Sequence, residues 1–453
     1  MSPAIGAEDY ALARVPHGVR YSWWSVALQR FGQLSALSQF LLGATLGFGM
    51  GFWGAFWAIT LGAVILEVVS IFVGVIGVRE GISTSMLARW TGFGRGGSAL
   101  IGLAIGISLI GWFGVQTAVS AEGMAALVGA DSAAVPMLAL FMGLAVTAIV
   151  VFGFHGMAWT AYLTVPAFMI LVAWSISSAL VGHSLGELVS SVPPGPHLTF
   201  LEGTTLVAGG FIVGAVITPD MTRYNRGPAD VVKQTVLGIT LGEYIFGLSG
   251  VLLAHAFRTD NVISIVTSSV GWVGVLIIIL GTLKINDWNL YSSGLGLVNI
   301  VGLVFGRRVP RVPATLVVGI AGSTLAAGGI LERFTDFLIL LGVAFPPIPG
   351  IMIAEYFIVR RWRGQLETSR AAGRPPSTVP TWVPVTLVIW AVSTVTAKYV
   401  TLGISSVNAL LLAFVLYLVA GRLGLVQGIG TSVTETAREP ASEPGRLTEP
   451  GDG

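Results

Sequence analysis

The chain reads as an all-α membrane protein of twelve spanning helices. Three observations predict this. Only 10% of its 453 residues are charged and 54% are hydrophobic, with a mean hydropathy of +0.84. A soluble globular protein carries about 25% charged residues, so most of this surface must face lipid or other apolar helices. Apolar runs near the ~20 residues needed to cross a bilayer recur along the whole chain. The basic residues also alternate in the connections between these runs. With the N-terminus inside, the inside segments hold 19 of the 24 Lys and Arg, the outside segments and span ends hold three (Arg258, Arg333 and Lys398), and Arg30 and Lys284 fall within spans. That asymmetry predicts cytoplasmic N- and C-termini and an even number of spans.

Residues 1–23 form a polar tail with Glu8, Asp9, Arg14 and Arg20 and no cleavable-leader pattern. The transporter-like domain covers 24–422. Its spans are expected at 24–48, 54–77, 98–128, 135–154, 159–181, 204–219, 232–256, 264–293, 312–329, 335–358, 381–399 and 404–422, and the long run 264–305 admits another division. Residues 423–453 are expected to be a disordered cytoplasmic tail, because Glu, Pro, Ser, Thr and Gly dominate after Gly430.

Taken in order, several spans break the rules of a lipid-facing helix. Span one carries Gly32, Gln33, Ser35, Ser38 and Gln39, whose polar groups predict an interior face. Span two carries Glu67. In span three, Trp112 and Gln116 are at i and i+4 and so share a helix face. An indole plane beside an amide suits a flat heteroaromatic ring, and interfacial or packing tryptophan is the alternative. Span six is short and holds Gly209 and Gly210 directly before Phe211. The glycine pair permits either an unwound segment that lends backbone groups to a ligand or close helix packing. At its end, Asp220 and Arg223 read as a cap or gate. Span seven carries Glu243, a second intramembrane acid, which like Glu67 suits a proton carrier or a partner for Lys284 or Arg30. Span eight holds Lys284, Asn286, Asp287 and Asn289 within six residues. Such charges cost about 2.5–3.5 kcal/mol each at a bilayer centre, so they point to function unless the stretch lies at the cytoplasmic end. In span ten, the prolines of 345–350 predict a hinge or kink.

The exclusions narrow the function. There is no cysteine, hence no disulfide, thiolate metal site or cysteine nucleophile. The five histidines, His17, His155, His183, His197 and His255, show no close metal spacing and are expected to be solvated near loops. No metal or other cofactor is expected. Basic residues gathered mainly in the connections between apolar runs imply a lipid bilayer as partner rather than nucleic acid. No P-loop is present, which disfavours an ATP-driven pump. A secondary transporter, a channel or an intramembrane enzyme remains, and no acid–base or metal constellation with helical spacing supports the enzyme.

Several patches together resemble the nucleobase–cation symporter family, in its cytosine permease and purine–cytosine permease branches. They are the runs 43–47, 74–77 through 87–89, 111–115, 218–224 (Thr-Pro-Asp-Met-Thr-Arg-Tyr), 286–300 (Asn-Asp-Trp-Asn-Leu-Tyr onward), 346–350 and 354–356. The likeness covers about residues 24–422. It implies a LeuT-type fold of 5+5 inverted repeats with broken helices 1 and 6, working by alternating access as a monomer in a bacterial inner membrane. It implies that a nucleobase, cytosine or a purine, lies between Trp112 and Phe211. Gln116, Gly210, Asn289, Ser38 and Gln39 complete the expected substrate set. Gln116 is as in the hydantoin-transporting relatives, which keeps a hydantoin, allantoin or pyrimidine vitamin precursor open. Asn289 matches a substrate-binding position of the fungal purine–cytosine permeases. Sodium-coupled members use two carbonyls of span one and hydroxyls of span eight. Here the span-one positions match Gly32 and Ser35, but a span-eight position carries Lys284, whose ammonium repels sodium, while hard cations want oxygen ligands. The expectation is therefore a lost sodium site and coupling to H+ rather than Na+, with Lys284 loading and releasing the proton beside Asn286 and Asp287; a permanent structural Lys284 with coupling at Glu67, or no coupling, is the alternative.

Overall fold

In hydrocarbon every peptide N–H and C=O needs an internal partner, so an apolar chain of this length satisfies its backbone in helices. The computed structural model of the chain describes residues 10, 13–152, 157–305, 307, 309–400 and 402–434. His155 and the tail beyond 434 lie outside the described residues.

The order is α1 (Trp23–Leu34), α2 (Leu37–Gly49), α3 (Phe52–Glu80), α4 (Thr84–Ala88), α5 (Gly94–Val128), α6 (Val135–Phe152) and α7 (Met157–Gly182). Then come α8 (Leu185–Ser190), α9 (Phe200–Val216), α10 (Thr218–Thr222), α11 (Pro228–Gly242), α12 (Leu248–Phe257), α13 (Val262–Ser269) and α14 (Trp272–Phe305). The rest are α15 (Arg311–Ala327), α16 (Phe334–Ala344), α17 (Pro347–Ile353), α18 (Arg363–Ala371), β1 (Thr378–Trp382), α19 (Pro384–Tyr399), α20 (Ser405–Arg422) and β2 (Ile429–Val433). Among the described residues eight helices are long and apolar enough to cross a membrane alone, and Leu37–Gly49, Phe200–Val216 and Arg311–Ala327 are shorter apolar helices. With α19 they fill every expected span, a pattern compatible with twelve.

Helix 1 is broken. Ser35 leaves helical geometry and Ala36 is extended (φ −135°, ψ 155°), so α1 and α2 meet at a two-residue hinge. Span six is also interrupted, but not at its glycine pair. α9 runs unbroken through Gly209 and Gly210, and the discontinuity falls at Ile217, between α9 and α10. Gly209 is a packing residue: a Cβ there would strike the Leu338 carbonyl of α16. Small residues let membrane helices approach closely, and the same device joins α2 to α12, where Gly43 meets the Gly247 carbonyl and Gly250 the Phe40 carbonyl. The proline run ends α16 at Ala344 and restarts the helix as α17.

Three expectations are corrected. The expected span 264–293 divides into α13 and α14, and α14 continues to Phe305, so Lys284 sits in the interior of a 34-residue helix and not at its end. The tail is not disordered from residue 423: β2 pairs antiparallel with β1, Thr378 opposite Val433 and Trp382 opposite Ile429, which satisfies backbone groups on both strands. His255 is buried, one ring nitrogen 2.8 Å from the Leu188 carbonyl and the other 3.0 Å from that of Met50.

Both ends of the described chain lie on one face. Arg14, before α1, reaches Glu80 Oε2 at 3.0 Å and the Leu366 carbonyl at 3.1 Å, and its Nε donates to the Arg374 carbonyl at 3.0 Å. Tyr356 donates to Glu80 Oε1 at 2.6 Å, and Arg370 pairs with the same carboxylate. The Thr434 amide donates to Ser377 nearby. Asp220 acts as a cap: its Oδ1 accepts the Thr84 amide at the start of α4, 2.7 Å away.

Candidate functional site

The polar residues of spans three and eight meet along the seam between α5 and α14, which pack extensively. Small residues make this possible. Gly296 approaches the Gly102 carbonyl, and Ser293 donates to the carbonyls of Gly106 at 3.0 Å and Asn289 at 2.6 Å. Inside the seam Asn286 donates to Thr117 Oγ1 at 3.0 Å, and Asn289 donates to Asn286 Oδ1 at 3.2 Å. Ser120 and Thr282 share a hydrogen bond further along. All these side chains are buried.

Trp112 and Gln116 lie one turn apart on this same helix, both buried. The indole has an aromatic surround. Phe337 meets it edge-on at 5.4 Å between ring centroids and Phe334 at 6.0 Å. The Gln116 Oε1 atom accepts no hydrogen bond, and neither does Oε1 of buried Gln39 in the first turn of α2. A buried amide oxygen left without a donor is costly, so two such atoms mark where an N–H donor is wanted. Ser38, beside Gln39, is half-buried.

Gly210 and Phe211 on α9 are half-buried. Gly210 faces Leu42 of α2, where a Cβ would lie 2.9 Å from the Leu42 side chain. Helix α16 stands between the two aromatic positions: Phe334 and Phe337 touch Trp112, while Leu338 packs on Gly209. Trp112 and Phe211 do not touch one another. Phe211's partner is the guanidinium of Arg30, 5.8 Å from its ring centroid.

Of the expected coupling residues, Ser35 donates to the Phe31 carbonyl at 2.8 Å and Gly32 faces open space. Gln33 is exposed instead of interior. Lys284 and Asp287 are half-buried, one turn apart, and interact through charge; Lys284 makes no hydrogen bond among the described residues. Glu67 accepts from Thr240 Oγ1 at 2.6 Å.

Sequence reasoning named Arg30 only as a charge within a span, and missed Thr117, Phe334 and Phe337. Arg30 is fully buried and bonds the Gly214 carbonyl at 3.1 Å and Thr218 Oγ1 at 2.8 Å, tying broken helix 1 to the end of α9. Its place within a span was the available signal. The two phenylalanines are spaced i, i+3 in span ten, a pattern that marks any apolar helix face.

The family model for permeases of cytosine/purines, uracil, thiamine and allantoin matches residues 20–424. The chain belongs to this permease family. The permease is 28% identical over 419 residues to the cytosine permease of Escherichia coli (strain K12), covering 91% of this chain and 94% of that protein. It is 26% identical over 391 residues to the hydantoin permease of Microbacterium maritypicum, covering 80% and 77%. Its fold matches the inward-facing conformation of Mhp1 with TM-score 0.75 at 21% identity, over 91% of this chain and 93% of that one. A closed conformation of Mhp1, a nucleobase–cation–symport-1 family transporter with bromovinylhydantoin bound, matches at 0.71 and 22% identity, over 91% and 95%. The permease therefore has the LeuT-type architecture and is a multi-pass membrane transporter of the nucleobase–cation symporter family, not an enzyme.

Proposed function

We propose that the permease imports cytosine or a purine base across the cytoplasmic membrane by alternating access, driven by protons, with both termini in the cytoplasm. The observation that carries this is the buried pair Trp112 and Gln116 on one face of α5, the helix that Asn289 joins through Asn286 and Thr117, with the Gln116 carbonyl oxygen waiting for a donor. A planar base stacks on the indole and offers ring-edge N–H groups to Gln116 and Gln39. Phe211 and Gly210 close the other side once α9 and α5 bring the ring between them.

Support for proton coupling comes from Lys284: by the family resemblance it occupies a position where sodium-coupled members use a hydroxyl ligand, and it is half-buried with no hydrogen bond among the described residues. A hydantoin or allantoin is the second reading, favoured by the same Gln116 oxygen, since those rings also present N–H groups.

Thermal-shift binding of a panel of cytosine, adenine, uracil, allantoin and hydantoin to the purified protein decides between them. Stabilisation by none of these defeats the heterocycle reading, and stabilisation only by hydantoin or allantoin selects the second. In proteoliposomes, an imposed proton gradient should drive uptake and a sodium gradient should not.

A further inference from the structure

Glu243 is fully buried, and neither carboxylate oxygen has a hydrogen-bond partner. An ionised carboxylate so placed is an uncompensated charge in a low-dielectric interior, so the neutral acid is the form this packing fits. Glu243 opens a π-helical turn, Glu243–Gly247, between α11 and α12. Such turns interrupt the regular ladder and recur at functional sites.

The surroundings connect this acid to a relay and to a moving part. Thr240, one turn earlier, donates to Glu67 of α3, so a second, half-buried carboxyl stands beside Glu243 and the two feel each other's charge. The groups facing this region are Glu67 from α3 and Arg30 from α1; α2 offers no titratable side chain, and the adjacent Tyr244 hydroxyl is engaged with Thr60. Helix α1 seals the site. Arg30 packs on Gly238 and Leu34 on Gly242, at the helix face that leads to Glu243. From the same π-turn, Phe246 lies 5.9 Å from Phe31 of α1 and stacks on Phe168 of α7 at 5.6 Å. Phe31 and Leu34 are the last turn before the Ser35–Ala36 hinge.

We propose that Glu243 is a proton-binding site of the transport cycle, loaded through Glu67 and uncovered by movement of α1 about its hinge. The inference rests on the proton-driven reading above and names a carrier that acts alongside Lys284. One proton reaches the Glu243 carboxylate by way of Glu67 to give the neutral acid while α1 is seated, and the same proton leaves to water when α1 swings away. With α1 seated, as here, the packing favours the neutral acid, so return of the emptied carrier is followed by reloading through Glu67.

Two measurements test it. Infrared difference spectra of the purified, substrate-free protein at neutral pH should show a neutral-carboxyl C=O band in the wild type that Glu243→Gln removes. Identical spectra overturn the proposal whether or not the protein carries cytosine. In proteoliposomes, Glu243→Gln should keep cytosine exchange and lose concentrative uptake under a proton gradient, because the amide mimics the loaded state permanently. Concentrative uptake equal to wild type overturns the proposal. Failure of the wild type to bind cytosine defeats the substrate reading alone, and the infrared result still decides the proton site. If Glu243→Gln does not survive purification, Glu67→Gln reads the same pair: the Glu243 band should persist with its pH titration displaced, and a titration coincident with wild type overturns the relay.

Discussion

Trp112 is buried and meets Phe334 and Phe337 in T-shaped contacts, so its plane is held before any ligand arrives. Removing it should cost one stacking face. Trp112→Ala is expected to weaken cytosine binding by about 1–3 kcal/mol, roughly 5- to 150-fold in Kd, by analogy with base stacking elsewhere. Isothermal titration would read this, and an unchanged Kd would place the substrate away from the indole. Lys284→Ala should abolish gradient-driven uptake while leaving exchange intact, and sodium-dependent uptake by the wild type would end the idea that the ammonium replaces an ion. The Trp112–Gln116 pairing was legible because helical periodicity fixes which residues share a face. The unpartnered state of Gln116 and Glu243 was not, because a sequence shows an acid or amide in an apolar run without showing what surrounds it. Arg30 illustrates the same limit: the span position was evident, its bonds to Gly214 and Thr218 were not.

At the scale of elements, glycine does two different jobs, and composition alone does not separate them. With 60 glycines in the chain, a pair such as Gly209-Gly210 reads equally as a break or a contact surface. Here tertiary packing decides: Gly209 is pressed against α16 and the helix stays whole, while the interruption falls at Ile217, ahead of Pro219. Gly209→Val should therefore cost about 1–3 kcal/mol or more through overpacking. Its melting temperature in detergent should fall clearly, whereas Gly281→Ala, which meets open space, should not move it. The short helix α8 makes an independent prediction. Ser184 and Glu187 form a capping box, and the Ser184 backbone N–H, then its hydroxyl, hold the Glu187 carboxyl below the usual carboxylate range. The folded value is lower than the unfolded one, so the cap contributes fully above the ordinary range and is lost as pH falls through the lowered value. Amide NMR of Ser184 across an acid titration should follow that loss.

For the whole molecule, hydropathy and the distribution of Lys and Arg were enough to predict spans and two ends on one side, because both follow from the bilayer as solvent. What holds that side together was hidden, since it joins residues far apart in the chain. Glu80 is buried under Arg14, Tyr356 and Arg370, linking the N-terminal segment, α3, the end of span ten and α18. Removing one partner of a buried ion pair costs about 3–5 kcal/mol. Glu80→Gln should loosen this face. The chain has no native cysteine, so a single Val15→Cys probe, at a buried position, should react with maleimide faster in the Glu80→Gln background. Equal rates would show that the cluster is not what keeps the segment seated. The same cluster has a consequence for biosynthesis. Arg14 finds its Leu366 acceptor 352 residues downstream. At about 5–20 residues per second, the ribosome delivers that acceptor some 20–70 s after Arg14 has been made. Throughout that interval Arg14 can meet Glu80 but not the Leu366 carbonyl, and its seat is complete only late in translation.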